Sequence, residues 1–285
     1  MANIRDIKHR IESVKNTRQI TNAMKMVAAA KLQKSQVNII KARPYADHIA
    51  QMLMAIKHKK NQADSKIFDP ATESDKRALI VVTADRGLCG SFNSMIIKQA
   101  IEYLNAHPKT DVICIGKKGY DILKKRPGLV VREKYLGLFN EMNFAASADI
   151  AQFVKDIFFK GDYDVIDVVY NHFKSIMQQI ITVKPLFPIP DLPSDEGVSL
   201  LDFLYEPSME DVVSELSNKY INVEIWRIML ESSASEQGAR MTAMDSATDN
   251  ATELIESLTL NYNMVRQSAI TTEIIEIASG AEALS

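Results

Sequence analysis

The sequence predicts an α/β protein: a long antiparallel coiled coil of N- and C-terminal helices with an inserted α/β domain. Three observations predict it. Apolar residues recur at helical spacing over both ends of the chain, and short apolar runs alternate with helical patterns only in the middle. The ends also carry opposite charge. Residues 1–60 hold thirteen Lys and Arg against three Asp and Glu, and residues 208–285 hold four against thirteen. The formal net charge of −2 conceals this asymmetry. The expected domains are an N-terminal helix over 1–60, an inserted domain over 76–190 and a C-terminal helix over 208–285.

The first helix follows from Ile4, Ile7, Ile11 and Val14, then Ala28, Leu32, Ile39, Ala46, Ile49, Leu53 and Ile56, all on one stripe. Pro44 is expected to kink or briefly break it near Arg43, because proline lacks the amide that the preceding turn needs. The last helix starts after Pro207, the final proline. Fifteen of the twenty heptad positions from Met209 to Glu276 are apolar, counting Ala and Tyr. A period of 3.5 held that long implies a left-handed supercoil with a partner. Some 70 helical residues span roughly 105 Å, longer than a compact domain of this size is wide.

In the middle, Ala78–Thr83, Asp111–Ile115 and Asp164–Tyr170 read as buried strands, and Gln178–Phe187 as a further strand placed at an edge by Pro185. Helical patterns lie near Ser91–His107, Lys117–Lys125 and Ser147–Lys160. Strand–helix alternation predicts a mostly parallel, Rossmann-like sheet covered by helices. Lys59–Lys76 and Pro188–Pro207 read as linkers. If both long helices meet the inserted domain at their near ends, paired residue numbers sum to about 264. Met24 then falls opposite Arg240, and the Ala-rich stretch Val27–Lys31 opposite Ser233–Gln237. That register leaves roughly the last 20 residues unpartnered, with Ile270, Ile274, Ile275 and Ile277 in need of another protein.

Little in the chain points to catalysis. Thr83–Ser91 (TADRGLCGS) is a Gly-containing turn between a strand and a helix, but it matches neither phosphate-binding fingerprint. A structural turn with Ser91 as N-cap is the simpler reading. Cys89 near that helix start is a weak nucleophile candidate, and Cys114 in a strand reads as core. Two cysteines give no disulfide framework, and the five histidines show no metal spacing. The carboxylates of the last helix read as a solvated or partner-facing surface. The basic first helix lacks interleaved aromatics, so an acidic protein partner is favoured over nucleic acid. No apolar run reaches the ~18 residues of a membrane span, and the Arg-rich start continues too far to be a transit peptide.

Several stretches resemble one family. IRDIKHRIESVKNTRQITNAMKMVAAAKLQKSQ at the start, TADRGLCGSFN at the first strand–helix turn and ATDNATELIESLTLNYNMVRQSAITTEIIEIASGAEAL at the end are similar to the gamma subunits of rotary F-type ATP synthases. In the last of these, Ile270, Thr271, Glu273, Glu276, Gly280 and Ala281 fit the family's terminal signature. The resemblance implies a non-catalytic central shaft without catalytic, cofactor or metal residues. Such a shaft turns within a ring of three alpha and three beta subunits and contacts the epsilon subunit and the membrane-embedded c-ring. It couples proton flow to ATP synthesis and hydrolysis at the cytoplasmic face of a bacterial membrane, held there only through the complex. The implied beta-subunit contacts are Met24, Lys25, Arg240, Arg266, Gln267, Thr271, Glu273 and Glu276. No extra segment with a redox Cys pair is present, which favours a bacterial over a plastid form. The competing readings are a stationary coiled-coil scaffold and an α/β phosphate-binding enzyme using Asp85–Gly90.

Overall fold

The computed structural model describes residues 4–59, 67–68, 76–139, 142–176, 178–190, 206 and 208–282. Both expected linkers fall largely outside these. The elements are α1 (Ile4–Lys59), β1 (Arg77–Val82), α2 (Phe92–Ala106), β2 (Thr110–Ile115), α3 (Lys117–Leu123), β3 (Val131–Tyr135), α4 (Phe144–Phe159), β4 (Val165–Phe173), β5 (Gln179–Phe187) and α5 (Met209–Glu282). The chain divides into a unit of Met1–Ala28 with Met241–Ser285 and a unit of Ala29–Arg240. The inserted domain therefore shares a unit with the adjoining stretches of both long helices.

The smaller unit is an antiparallel helix pair. Ile7, Thr21 and Ala28 of α1 and Met244 and Ala251 of α5 are its buried residues. Thr21 and Thr248 share a hydroxyl hydrogen bond of 2.8 Å, and Lys25 forms an ion pair with Asp245. In the larger unit Ser35 meets Ser233. These partner numbers sum to 269, 270 and 268, so the register differs from the expected one by about five residues. The expectation assumed that the two helices meet the domain at matching points. They do, but α1 runs on to Lys59 where the expectation stopped at Ile56, and the observed near ends, Lys59 and Met209, sum to 268. Helix α1 continues unbroken through Pro44. A single lost amide bond, worth a few kcal/mol, is outweighed by the burial of Ala46, Ile49, Leu53 and Met54 just beyond it.

The larger unit is built on a five-stranded sheet of order β3-β2-β1-β4-β5, parallel except for β5, which runs antiparallel to β4. From Ala78 to Val82 strand β1 is apolar because both of its faces are covered. Ala78, Ile80 and Val82 face one core, with Leu53 of α1, Val154 of α4 and Ile221 of α5. Leu79 and Val81 face the other, with Ile96 and Ala100 of α2 and Leu123 of α3. Asn143 caps α4 by accepting from the Ala146 amide at 2.8 Å. Strand β5 lies at the edge, as Pro185 required. Strand β3 was not expected: as the opposite edge it alternates half-buried residues with exposed Arg132 and Lys134, a pattern too polar to read as a buried strand.

Candidate functional site: the carboxyl edge of the sheet and the waist of α5

In doubly wound sheets, ligands bind outside the carboxyl ends of the strands, where the strand order reverses. Here the chain leaves β1 for β2 and β3 on one side and returns to β4 on the other, so the reversal lies at β1 and β4. The loop after β1 is held by its own chain. Thr83 Oγ1 accepts from the Gly119 amide at 2.8 Å and donates to Ile115 O at 3.3 Å. Asp85 Oδ1 accepts the Lys117 and Gly137 amides at 3.0 and 2.9 Å, taking donors that an anion would need. Gly116 has φ +95°, and a Cβ there would lie 1.9 Å from Thr83 O, so glycine is obligatory.

Helix α5 fills the crevice itself. Ser235 Oγ donates to Asn171 O on β4 at 3.1 Å. Arg240 donates to Glu236 at 2.6 Å and to Gly87 O, in the loop after β1, at 3.2 Å. Every residue from Ile228 to Gly238 is buried. A helix buried all round usually carries bulk, but here backbone approaches on the domain side and α1 lies on the other. A Cβ on Gly238 would sit 3.6 Å from Ile176 O. The small residues of this stretch therefore serve the contact with the sheet as much as the contact with α1.

The acidic residues of this part of α5 are not a solvated surface. Glu224 accepts from Lys184 and Arg227 at 2.6 and 2.8 Å, and Glu231 shares a 2.6 Å hydrogen bond with His172 Nδ1. All three carboxylates, Glu224, Glu231 and Glu236, are buried. Charge along a helix does not reveal which members another element will cover, so the sequence hid this. Burial raises the Glu236 carboxyl above its ordinary range, against the pull of Arg240. Its Oε2 and Asp85 Oδ2 are buried without a hydrogen-bond partner.

Cys89 is buried, and burial pushes its thiol up, so it is poorly suited to attack as thiolate. Burial likewise lifts Cys114 to about 12. Ser91 stands at the N-cap position of α2, as expected, but makes no side-chain cap bond. Leu88, in the left-handed region at φ 61° and 65% exposed, is the one apolar side chain of that loop offered outward among its described residues; nothing in its spacing signalled this.

The expected contact residues fall into two settings. In the smaller unit Met24 is half-buried and Lys25 is paired with Asp245. From Arg266 to Ser279 every residue is exposed, including Arg266, Gln267, Thr271, Glu273, Glu276 and the four isoleucines. Thr271 spends its hydroxyl on Gln267 O at 2.9 Å. The side chains of Gly280 and Ala281 lie outside the described residues. In the larger unit Arg240 does not reach outward: its side chain is only 11% exposed and is turned to Glu236 and Gly87.

A family model described as ATP synthase matches residues 3–284. The ATP synthase gamma chain of Prosthecochloris aestuarii is 43% identical over 100% of this chain and 99% of its own. That of a Geobacter species is 44% identical over 100% and 99%. Among solved structures, a chain from the central stalk and c-ring of the Tetrahymena thermophila mitochondrial ATP synthase is 27% identical, with a TM-score of 0.62 over 80% of this chain and 99% of that one. A chain of the Euglena gracilis mitochondrial ATP synthase shares the fold at 22% identity, with a TM-score of 0.70 over 99% and 94%.

Proposed function

The chain belongs to the ATP synthase gamma-chain family, and from that premise we propose how it works as the rotor shaft, a subunit without catalytic residues of its own. The observation that carries the reading is the far end of α5. From Arg266 to Ser279 the helix is exposed throughout, and Ile270, Ile274, Ile275 and Ile277 are 48–67% exposed. A monomeric protein rarely leaves such a stripe uncovered. A ring of alpha and beta subunits is the cover that the family supplies. There Arg266, Gln267, Thr271, Glu273 and Glu276 provide polar contacts, and Met24 and Lys25 face the beta subunits. The epsilon subunit and the c-ring are the partners proposed for the remainder, at the cytoplasmic face of a bacterial membrane.

The mechanism is conformational coupling. A shaft contact that is equal in all states of a catalytic subunit shifts nothing, so torque transmission needs faces that differ around the axis. The helix pair of the smaller unit supplies such asymmetry: basic α1 and acidic α5 lie side by side, joined by the Lys25–Asp245 ion pair. The enzyme alternative loses its place, because the crevice it would use is filled by α5.

The test is assembly with alpha and beta subunits, followed by single-molecule observation of a bead fixed to the α/β domain during ATP hydrolysis. Stepwise rotation is expected. A bead that stays still on a fully active complex would establish the stationary scaffold instead. Gln267→Ala is expected to lower coupled synthesis more than folding, and unchanged coupling would remove that residue from the contact set.

A further inference from the structure

The contact between α5 and the loop after β1 holds more negative charge than positive. Glu236 and Arg240 of α5 have side chains only 6% and 11% exposed, and Arg240 donates to Glu236 Oε1 and to Gly87 O. Asp85, two residues before Gly87, brings a second carboxylate. One oxygen of each acid is left over. Asp85 Oδ1 accepts the Lys117 and Gly137 amides, whereas Asp85 Oδ2 is buried with no hydrogen-bond partner. Glu236 Oε1 accepts from Arg240 and, at 3.5 Å, from Gln237 Nε2, whereas Glu236 Oε2 is buried and equally without a partner. Buried oxygens in that state are uncommon in folded proteins.

The charged and titratable neighbours of Glu236 come from three elements: Arg240 from its own helix, Asp85 and Cys89 from the loop, and Lys31 from α1. Lys31 is exposed, so water weakens its pull. Cys89 stays a neutral thiol, because burial pushes it up. Two carboxylates therefore share one buried guanidinium, an excess of one negative charge in the contact. A buried water bonded to either oxygen would give it a donor but leave that excess in place. A proton on one acid does both, since it cancels the charge and turns an acceptor-only group into a donor. Acids crowded into one buried site hold a proton for this reason. Glu236 is the deeper of the two. Burial, and then the charge of Asp85, raise its carboxyl above the ordinary range, against the pull of Arg240 and Lys31.

We propose that this contact is a proton-operated latch, in which Glu236 takes up a proton on mild acidification and donates it from Oε2 to Asp85 Oδ2. In the ionised form the two carboxylates repel, and Arg240 alone ties the helix to the loop. A carboxyl whose folded pKa exceeds its unfolded one stabilises the fold below that range, and its contribution falls as pH rises through the folded pKa. The same loop carries Leu88, 65% exposed, so how firmly that side chain is presented follows the pH. The latch belongs to the chain by itself, and its failure leaves the shaft reading untouched.

The experiment is a pH titration of the full-length chain with carbon-13 in its glutamate carboxyls, followed by NMR, the Glu236 signal being assigned by its loss in Glu236→Gln. Glu236 is expected to titrate at higher pH than the exposed Glu253. Asp85→Asn keeps the acceptor for the two amides and supplies a donor amide in place of the orphan oxygen, so it should lower the Glu236 midpoint. Hydrogen exchange of the Lys117 and Gly137 amides, both held by Asp85 Oδ1, reads the latch itself. After correction for intrinsic exchange, their protection should fall between about pH 5 and about pH 8, by up to about tenfold for each pH unit across the titration. In Glu236→Gln, which carries a permanent donor, protection should not depend on pH. The proposal is overturned if Glu236 titrates together with Glu253, if Asp85→Asn leaves its midpoint where it was, or if protection in the wild type and in Glu236→Gln follows pH alike.

Discussion

Replacing Arg240 by alanine tests the inward setting of that residue against the outward one that sequence suggested. The substitution removes the cation from a pair whose side chains are 11% and 6% exposed. At that burial, solvent screens little, and losing one member of such a pair costs about 3–5 kcal/mol. The loss has a ceiling, because Glu236 escapes it by taking up a proton, at about 1.4 kcal/mol for each unit between the pH and its pKa. Burial already holds that carboxyl above its ordinary range, and Arg240 is the main group pulling it down, so the variant raises it further. The sign follows. A carboxyl whose folded pKa exceeds its unfolded one binds its proton better when folded, so its contribution to stability falls as pH rises from the unfolded pKa through the folded one. The deficit of Arg240→Ala is therefore expected to be small near about pH 5 and largest near about pH 8. Trp226, the only tryptophan, packs edge-on to Phe144 at 6.1 Å and reports on the larger unit. Urea unfolding followed by its fluorescence measures the deficit at both values. Adding Glu236→Gln should flatten the pH dependence and recover part of the loss. An equal deficit at both pH values, or a double variant no better than the single one, would refute the internal pairing.

Other substitutions probe other features. Gly238→Ala should stabilise the chain by up to about 1 kcal/mol, since a Cβ there makes only ordinary contacts and glycine is a poor helix former; destabilisation in the same urea assay would mean that the backbone approach is closer than 3.6 Å. Gly116→Ala should cost at least about 2 kcal/mol, because its Cβ would meet Thr83 O and its φ is left-handed; a neutral result would contradict the loop geometry. Lys155, buried against Asn222 at 3.4 Å with its ammonium pushed down by desolvation, should be replaceable by methionine with a gain of about 1 kcal/mol that shrinks as pH rises. Cysteines at positions 21 and 248 should crosslink on oxidation, whereas cysteines at 16 and 248, the pair required by a sum of 264, should not.

The long helices were legible because their period is sustained over dozens of residues, and β1, β2 and β4 because burial on both faces leaves short apolar runs, interrupted in β4 by Asp167. Strand β3 was not legible, since an edge needs only half its residues apolar. The register was off because it was anchored at Ile56, three residues short of the true end of α1, and helix ends are the least legible part of a helix sequence. The waist was half understood. The sequence set Ser233–Gln237 opposite the Ala-rich stretch Val27–Lys31, but a helix sequence has no marker for which neighbour approaches. The domain and α1 both do, and Glu224, Glu231 and Glu236 went into that contact disguised as surface charge. Arg240 was named from resemblance as an outward contact; its neighbour Glu236 lies one helical turn earlier on α5, whereas Gly87 comes from a loop whose meeting with α5 only the fold reveals.

The plugged crevice also has a mechanical meaning. Two bodies held by apolar contact alone have no preferred angle, and one can slip around the other under load. Directional bonds resist such slip. The bonds from Ser235 to Asn171 O and from Arg240 to Gly87 O fix the azimuth of α5 on the sheet at two points more than a helical turn apart. Twisting the helix against the domain must stretch both at once. The place where a related fold would hold a nucleotide thus acts as a keyway, which sets how much elastic twist the larger unit stores before its load is passed on.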